Sequence, residues 1–381
     1  MLKIWLDKNP KFHTHFLNFS YKNCNYQTKR EPSSEVLITN YGVKMQLLHT
    51  AYNTQSPFIN TKHSLFDEIL LSQNEPNLKP SKPLRSPLFY VGDKYKLMTQ
   101  LTSLFPQDIQ NYFEPFCGGG SSFLNVKARR YYLNDIDAKL ILLHEFLQSK
   151  AHDEKRFFDE IFALIKHYGL SCSLLGIIPP LSLRKEFKKT YFARFNKNAY
   201  LQMRADFNAD KSGTTRLYLL LIYGFNRFLR FNTKGEFNLP VGNVDFNANV
   251  FNALNGYFSF CKGKKMEFFN ADYVEFLSKF EFKKDDFIYF DPPYLISDSE
   301  YNKLWSDDKE REFYAFLDEL NAKGVRFGLT NLLTHKGRHN ALLENFARKY
   351  HCKDIVSNYI SFNDNSIKKD SKELYVSNFW R

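Results

Sequence analysis

The feature that most constrains the fold is a short apolar run that ends in one acid and two prolines. Phe287-Ile288-Tyr289-Phe290 has the length and the aromatic and β-branched content of a buried parallel strand, and Asp291-Pro292-Pro293-Tyr294 follows it directly. The tetrapeptide is therefore expected at the carboxyl end of a strand, where open α/β sheets place their ligands. The run predicts an α/β fold with a largely parallel sheet.

The tetrapeptide combines hydrogen-bond acceptors with an aromatic ring. Its two prolines fix the backbone and remove two N–H donors, which leaves bare carbonyl oxygens beside the Asp291 carboxylate. This arrangement suits a planar heterocycle with an exocyclic amine, because the amine can donate to Asp291 and to the Pro292 carbonyl while the ring lies on Tyr294. The alternative is a proline-stiffened loop without a chemical role.

The charge of the chain favours a polyanionic partner. Aromatic residues make up 17% of the sequence and hydrophobic residues 43%, which excludes a disordered chain, and the formal net charge is +12. Between Arg184 and Lys234, twelve basic residues stand against three acidic ones. A nucleic-acid contact and an ordinary solvated face are both compatible with this basic segment.

Cysteine usage and hydropathy predict a cytoplasmic protein. The five cysteines are scattered and never form a CxxC pair, so neither a disulfide framework nor a zinc site is predicted, and a reducing interior fits. No apolar run reaches the roughly 18 residues that a membrane span requires, and no apolar leader follows the N-terminus. A length of 381 residues predicts either two domains or one large domain with an insertion.

Residues 1–86 read as an extension of unknown role. They are rich in Asn, Lys, Tyr and Phe, contain one short helical pattern at Ser64–Ser72, and lead into a tether with several prolines. A contact with DNA, a contact with a partner, and a loosely packed appendage remain alternatives.

A glycine-rich turn follows the first strand predicted after this extension. Asn111–Phe116 reads as the strand and Cys117–Ser122 as a turn into a helix that runs to about Arg130. The next strand, Tyr131–Asn134, ends at Asp135, which is placed to accept both hydroxyls of a ribose. The pattern predicts a nucleoside cofactor, and it fits NAD as well as S-adenosylmethionine.

The segment 151–246 looks like an inserted, mainly helical domain that carries the basic cluster. The apolar stretch Leu217–Phe225 leads into a basic, Phe-rich stretch that ends at Pro240, and its two short arms around Asn232–Gly235 predict a β-hairpin. Such a hairpin could read a DNA groove or be an ordinary surface ribbon.

The remaining pattern predicts the other half of the sheet. Met266–Phe269 reads as a strand that ends near Asp272, and Leu295–Asp308, with Tyr301 and Trp305, reads as a loop suitable for a lid. The later elements are predicted as a helix, a strand, a helix and two strands at Asp308–Asn321, Val325–Thr330, Asn340–Lys349, Ile355–Ile360 and Glu373–Phe379.

Taken together, these motifs resemble the N6-adenine DNA methyltransferases of the Dam family (D12 class, alpha motif order) from Leu88 to the C-terminus. The ordered blocks that carry the resemblance are Tyr90-Val91-Gly92-Asp93-Lys94, Glu114-Pro115-Phe116-Cys117-Gly118-Gly119-Gly120, Asn134-Asp135-Ile136, Tyr223-Gly224-Phe225-Asn226, Arg230-Phe231-Asn232, Gly235-Glu236-Phe237-Asn238-Leu239-Pro240 and Asp291-Pro292-Pro293-Tyr294. The resemblance implies a class I S-adenosylmethionine-dependent methyltransferase fold, with a Rossmann-like mixed sheet. It implies a catalytic domain in 87–150 and 247–381, and a target-recognition domain with a β-hairpin in 151–246.

The resemblance also implies roles for individual residues. The catalytic residues that hold the target base would be Asp291, Pro292, Pro293 and Tyr294. The residues that bind S-adenosylmethionine would be Tyr90, Lys94, Phe116, Gly118, Gly120, Asp135 and Asp272. The residues that contact DNA would be Phe225, Asn226, Arg227, Phe228, Arg230, Asn232 and Pro240. Phe228 stands where a leucine is expected, and no metal ligand is implied.

The activity implied is transfer of a methyl group from S-adenosylmethionine to a flipped adenine in double-stranded DNA. A GATC-like site and a restriction–modification system with a separately encoded endonuclease are part of this expectation. The rivals are N4-cytosine methylation, methylation of RNA or of a protein glutamine, and a DNA-binding regulator without catalysis. Carbon-5 cytosine methylation is disfavoured, because in the enzymes that perform it the cysteine nucleophile follows a proline, and no cysteine here does so.

Overall fold

A computed structural model describes residues 13–19, 33–39, 82–297, 305–356 and 371–379. The chain divides into two compact units, Met1–Lys62 and His63–Arg381. The predicted helical pattern at Ser64–Ser72 and the predicted lid residue Tyr301 lie outside the described residues.

The first unit contains an antiparallel strand pair that the sequence analysis did not anticipate. Strand β1 (His13–Phe19) pairs with β2 (Ser33–Thr39), and the register runs from His13 opposite Thr39 to Phe19 opposite Ser33. Residues 1–86 therefore include regular structure and are more than an irregular extension.

The second unit contains an eight-stranded sheet. Its strands, in chain order, are β3 (Ile109–Glu114), β4 (Ala128–Asn134), β5 (Lys265–Phe269), β6 (Phe287–Phe290), β7 (Arg326–His335), β8 (Arg338–His339), β9 (His351–Ile355) and β10 (Lys372–Ser377). The order across the sheet is β5-β4-β3-β6-β7-β10-β9, and β8 pairs with β7. The first five strands in this order, β5-β4-β3-β6-β7, are parallel to one another. Strand β10 lies between β7 and β9 and is antiparallel to both. This mixed sheet confirms the predicted fold class.

Strand β6 lies in the middle of the sheet, as its apolar run predicts. All four of its residues are buried, and it is parallel to β3 on one side and to β7 on the other. Because side chains alternate along a strand, Phe287 and Tyr289 join one apolar cluster, while Ile288 and Phe290 join another. Each fully buried side chain of this size stabilises the fold by roughly 1.5–3 kcal/mol.

Helices cover both faces of the sheet. They are α1 (Met98–Thr102), α2 (Ala138–Lys150), α3 (Glu154–Tyr168), α4 (Leu181–Glu186), α5 (Tyr191–Ala209), α6 (Thr214–Tyr223), α7 (Ala248–Cys261), α8 (Tyr273–Leu277), α9 (Asp307–Ala322) and α10 (Ala341–Ala347). Helices α2, α3, α5, α6 and α7 share the first cluster, and α8, α9 and α10 share the second. The helices of the predicted insertion thus pack into the same core as one face of the sheet.

Three local predictions were wrong or only partly right. No α-helix follows the glycine-rich turn: a single 3-10 turn at Phe123–Asn125 is followed by β4, which begins at Ala128. The strand predicted at Ile355–Ile360 ends at residue 355, and positions 357–360 lie outside the described residues. The predicted hairpin has one bridging pair, Phe231 with Phe237, and its arms form no regular strands.

In the described part of the chain, no helix has both the length and the apolar character needed to cross a membrane. Within the same residues, no group of three or more His, Cys, Asp or Glu side chains could hold a metal ion.

Candidate active site at the carboxyl ends of the strands

The sheet has a switch point between β3 and β6, where α/β folds place their ligands. After β3 the chain continues to β4 on one side, and after β6 it continues to β7 on the other. Tyr112 pairs with Phe287 and Phe113 with Ile288, so the same register continued past both strands brings Phe116 beside Asp291. The glycine-rich turn and the proline-containing tetrapeptide therefore leave the sheet at the same edge.

The Asp291 carboxylate accepts from three donors on one oxygen. Its Oδ1 lies 2.9 Å from the Lys94 ammonium, 2.9 Å from the Tyr294 hydroxyl and 3.1 Å from the Thr330 hydroxyl. The side chain remains 18% exposed, so it is not enclosed in the apolar interior. Among the described residues these contacts all end on Oδ1, which leaves Oδ2 for a ligand.

A second carboxylate, that of Glu373 on β10, contacts Tyr294 and Lys94, two of the groups that hold Asp291. The fully buried Glu373 lies 2.9 Å from the Tyr294 hydroxyl and 3.9 Å from the Lys94 ammonium. Burial alone would lower the pKa of Lys94, but the charges of Asp291 and Glu373 outweigh it and raise that pKa above its usual value. Lys94 is therefore a cation held between two anions.

Tyr294, on which the sequence predicts that the base ring lies, has contacts at its hydroxyl and with its ring. Its hydroxyl is held by Asp291 and Glu373, and its ring lies 4.7 Å from the Lys94 ammonium, a cation–π distance. The ring is half-buried. Its position is thus fixed at the hydroxyl end, and the orientation of the aromatic face is set by the same contacts that orient Asp291.

The glycine-rich turn exposes only part of its backbone. Phe116 and Gly118 are half-exposed, whereas Cys117, Gly119 and Gly120 are buried. Gly118 has a φ of +49°, and its N–H donates to Asp135 Oδ2 at 2.9 Å. Gly118 is consequently the glycine of this turn that is not buried.

Gly120 is required for packing inside the protein. Its φ is +86°, and a Cβ there would meet the Phe123 ring at 2.4 Å and His144 at 3.0 Å. His144 is buried, and its Nε2 lies 2.9 Å from the Gly118 carbonyl oxygen. Burial lowers the pKa of His144 to about 4, so the ring is neutral and can donate to that carbonyl. Sequence reasoning missed this histidine, because a lone His within an apolar helix carries no signal of its own.

Asp135 lies at the end of β4, where the sequence predicts a ribose-binding acid. Burial raises its pKa to about 6, although backbone N–H groups of Asp137 and Gly118 donate to the carboxylate and oppose the shift. The group therefore changes its charge close to neutral pH.

Asn134, just before Asp135, connects three loops of the site. Its buried amide nitrogen donates to the Pro115 carbonyl at 2.9 Å and to the Ala271 carbonyl at 3.0 Å, and its oxygen accepts from the Ala271 N–H at 3.0 Å. The loops after β3, β4 and β5 are held together by this one side chain. Its place directly before the predicted ribose acid was the available clue.

Two apolar side chains next to the predicted cofactor acids are exposed. Ile136 follows Asp135 and is 68% exposed, and Val274 follows two residues after Asp272 and is 43% exposed. The Asp272 side chain caps α8 by accepting from the Val274 N–H at 2.9 Å. Exposed apolar groups beside two carboxylates suit a flat ring attached to a polyhydroxyl group.

The predicted DNA-binding residues form a separate, more open region, the recognition stretch Phe225–Pro240. Phe225 is 54% exposed, and its N–H donates to the Pro240 carbonyl. Arg230 uses Nε and one terminal nitrogen to donate to Asn238, each at 2.8 Å. Asn232 closes the turn by accepting from the N–H groups of Lys234 and Glu236. Phe228 packs partly against the core.

Comparison with known proteins agrees with this geometry. Residues 90–359 match the family described as D12 class N6 adenine-specific DNA methyltransferase. The chain is 30% identical to modification methylase StsI of Streptococcus sanguinis over 312 residues, 78% of this chain and 43% of that protein. It is 29% identical to type II methyltransferase M.FokI of Planomicrobium okeanokoites over 309 residues, 79% of this chain and 44% of that protein. It is also 30% identical to a DNA adenine methylase of Vibrio cholerae over 56% of this chain and 66% of that protein. The chain thus spans less than half the length of the first two relatives.

Proposed function

This chain belongs to the D12 class N6 adenine-specific DNA methyltransferases, and on that premise we propose that it methylates N6 of an adenine in duplex DNA. The observation that carries the proposal is the Asp291 carboxylate, which has one oxygen saturated by Lys94, Tyr294 and Thr330 and the other left for a ligand.

The chemistry follows from the acceptors at this edge of the sheet. The N6 lone pair of adenine is delocalised into the ring and is a poor nucleophile. When Asp291 Oδ2 and the Pro292 carbonyl each accept one N6–H, the lone pair is directed out of the ring plane and toward the methyl donor. Transfer would form the new C–N bond as the carbon–sulfur bond of the methyl donor breaks and leaves its electron pair on sulfur. The surplus amine proton would then pass to the partly exposed carboxylate and on to water.

The site fits the cofactor that the family implies. S-adenosylmethionine supplies an activated methyl group on its sulfonium sulfur. The residues that would hold it are Tyr90, Lys94, Phe116, Gly118, Gly120, Asp135 and Asp272. Two features support the assignment: Gly118 is the glycine of the turn that is not buried, and Asp135 directly follows β4 and precedes the exposed Ile136.

Access to N6 requires the adenine to leave the duplex. Base flipping costs a few kcal/mol, and stacking on an aromatic ring offsets part of that cost. Tyr294 is the ring at this position, and its hydroxyl contacts with Asp291 and Glu373 keep it in one orientation before the base arrives. The pocket is therefore organised in advance of the substrate.

Target recognition is assigned to the segment 151–246, which carries the basic cluster and the recognition stretch. The proposed DNA contacts are Phe225, Asn226, Arg227, Phe228, Arg230, Asn232 and Pro240. The proposal includes a GATC-like target and action in the cytoplasm. It also includes a place in a restriction–modification system with a separately encoded endonuclease. The names of the relatives, which include modification methylases and DNA adenine methylases, support adenine methylation and the restriction–modification part of the proposal.

The test is product analysis of DNA treated with the purified protein and S-adenosylmethionine. Nucleosides from the treated duplex should contain N6-methyladenine, and the Asp291→Ala variant should produce none. N4-methylcytosine without N6-methyladenine would overturn the assignment. Digestion with two endonucleases that cut GATC, one blocked by N6-methyladenine and one dependent on it, then tests the target sequence.

A further inference from the structure

Two arginines from distant parts of the chain lie against the same aromatic ring. The Arg227 guanidinium carbon is 4.1 Å from the centre of the Phe89 ring, and that of Arg85 is 4.5 Å from it. Arg85 precedes the Tyr90–Lys94 motif, and Arg227 belongs to the recognition stretch. Phe89 thus joins the cofactor-binding edge of the sheet to the region proposed to read DNA.

Neither guanidinium has a carboxylate partner among the described residues. The ion pairs between described residues include neither Arg85 nor Arg227. Among the same residues, the buried Nε of Arg227 has no hydrogen-bond partner. Burial lowers the pKa of Arg227 to about 10; Tyr218 opposes this shift, the charge of Arg85 adds to it, and Asp245 opposes it with a smaller effect. The Asp93 carboxylate is near enough to Arg85 for the arginine charge to oppose the rise that burial causes in the pKa of Asp93, but it forms no ion pair with Arg85. Two like charges are therefore held near each other with no carboxylate paired to either among the described residues, an arrangement that a bound anion would stabilise.

The contact between Phe89 and Arg227, called the junction below, involves an uncommon backbone conformation in both chain segments. Phe89 has a φ of +49°, and the consecutive residues Asn226 and Arg227 have φ values of +53° and +52°. None of the three is glycine, so each costs free energy that the surrounding contacts must offset, as often occurs at ligand sites. The strained residues are the ones that bring the Arg227 side chain over Phe89.

The junction lies close to the reacting groups. The Ser86 hydroxyl donates to the Gly119 carbonyl, and a Cβ on Gly119 would meet the Tyr90 side chain at 2.6 Å. Lys94, five residues after Phe89, contacts Asp291 at 2.9 Å. The residues around Phe89 are therefore connected to the glycine-rich turn through Ser86 and Tyr90.

We propose that Arg85 and Arg227, stacked on Phe89, bind a phosphate group of the DNA backbone beside the flipped nucleotide. Guanidinium groups present several donors in a plane that matches phosphate oxygens, and stacking on the ring limits the rotamer freedom that would be lost on binding. The proposal rests on the proposed function, because it assumes that duplex DNA is the substrate. It gives the recognition stretch and the catalytic edge one shared contact.

The experiment measures duplex affinity as a function of salt for Arg85→Ala, Arg227→Ala and the double variant. Each lost phosphate contact should reduce the slope of log affinity against log salt by about 1 and the affinity at low salt by about tenfold, equally for target and non-target duplexes. Arg129→Ala is the matched control, because Arg129 is exposed near the amino end of β4, at the opposite edge of the sheet, and should change neither quantity.

Affinity for S-adenosylmethionine and the melting temperature, measured on the same samples, separate a binding effect from a folding defect. Arg227→Lys should restore most of the salt slope, since it keeps the charge. An unchanged slope in the single variants, or a loss confined to one base pair of the target, would overturn the phosphate assignment while leaving DNA methylation intact. Absence of DNA binding by the unmodified protein would instead contradict the proposed function.

Discussion

The acceptor site around Asp291 and the recognition stretch Phe225–Pro240 are held in place in different ways. Asp291 is fixed directly by the Lys94 ammonium and the Thr330 hydroxyl, which come from distant parts of the chain. Glu373, from a third part, contacts Lys94 and Tyr294 and so acts on Asp291 indirectly. The recognition stretch has short-range bonds within its turn, such as Arg230 to Asn238 and those of Asn232. It is also anchored by Asn208 and by the core side chains Phe237 and Leu239. The first region is buried and cross-linked, whereas the second is anchored at Phe237 and Leu239 and exposes its turn.

This difference assigns the two regions separate tasks. A site whose groups are fixed before the substrate arrives can align an amine with a methyl donor, because alignment depends on small displacements. A stretch with exposed side chains and local bonds can change its contacts to suit base edges without disturbing the core. Substitutions in the first should therefore change rate, and substitutions in the second should change target choice.

The largest expected effect is that of Asp291→Ala. Loss of the carboxylate removes both the acceptor for the amine and the partner of Lys94, so turnover should fall by at least about 10²–10³-fold. Duplex affinity should change little, since the recognition stretch is untouched. Single-turnover methyl transfer and duplex titration measure the two quantities. The control is Asp285→Ala, because Asp285 is exposed and lies two residues before the start of β6. Retained activity in Asp291→Ala would contradict the acceptor role.

Arg230→Ala tests the other region. If Arg230 leaves Asn238 to contact a guanine edge, its loss should relax discrimination at one base pair by about 1–3 kcal/mol, with little change in turnover on the original target. Methylation rates on duplexes that differ at single positions measure this. Asn238→Ala, which removes the side-chain acceptor of Arg230 but keeps the main-chain acceptor and the arginine charge, should retain the preference. An equal loss of affinity on all sequences would make Arg230 a phosphate contact.

The pKa of Asp135 predicts a pH dependence of cofactor affinity. The ionised carboxylate accepts hydroxyl groups, and protonation removes that capacity. Because the pKa is raised to about 6, affinity should be full above that value and fall about tenfold between pH 7 and pH 5. Calorimetric titration with S-adenosylmethionine checks the profile. Asp135→Asn should bind more weakly and lose the pH dependence, and an unchanged profile would transfer the ribose role to Asp137.

Glu373→Gln should have the smallest effect, a decrease in turnover of a few-fold, about three to ten. The glutamine can still accept from Tyr294, but it no longer raises the pKa of Lys94. The alkaline limb of the rate profile should therefore move to lower pH, while KM for DNA stays constant. A purely structural role for Glu373 would lower stability and leave the position of that limb unchanged.

The sequence predicted the parallel core of this fold because the strands at its centre have strong signals. The run Phe287–Phe290 is apolar at every position, and the acids Asp135 and Asp272 follow neighbouring strands, so their common edge could be inferred. The helix predicted after the glycine-rich turn failed for a packing reason. The chain needs only a 3-10 turn at Phe123–Asn125 before β4, and Phe123 and Gly120 pack against each other there.

The partners within the site were harder to predict from the sequence. Glu373 lies 82 positions after Asp291. It contacts Tyr294 and Lys94 of the site because β10 pairs antiparallel with β7, and no local pattern indicates that pairing. The same applies to His144 beneath Gly118, and to Arg227 over Phe89. Local patterns predicted the candidate ligand-binding residues, whereas the residues that support them depend on the tertiary arrangement.

The division between chemistry and recognition can be tested most directly by mapping every methylated base in one plasmid. The plasmid is treated with the unmodified protein, with Asp291→Ala and with Arg230→Ala, and each product is sequenced at single-molecule level. We expect N6-methyladenine at one target sequence, none with Asp291→Ala, and N6-methyladenine at additional related sequences with Arg230→Ala. A different methylated base, or Arg230→Ala products that keep the original target set at a uniformly lower level, would contradict the account.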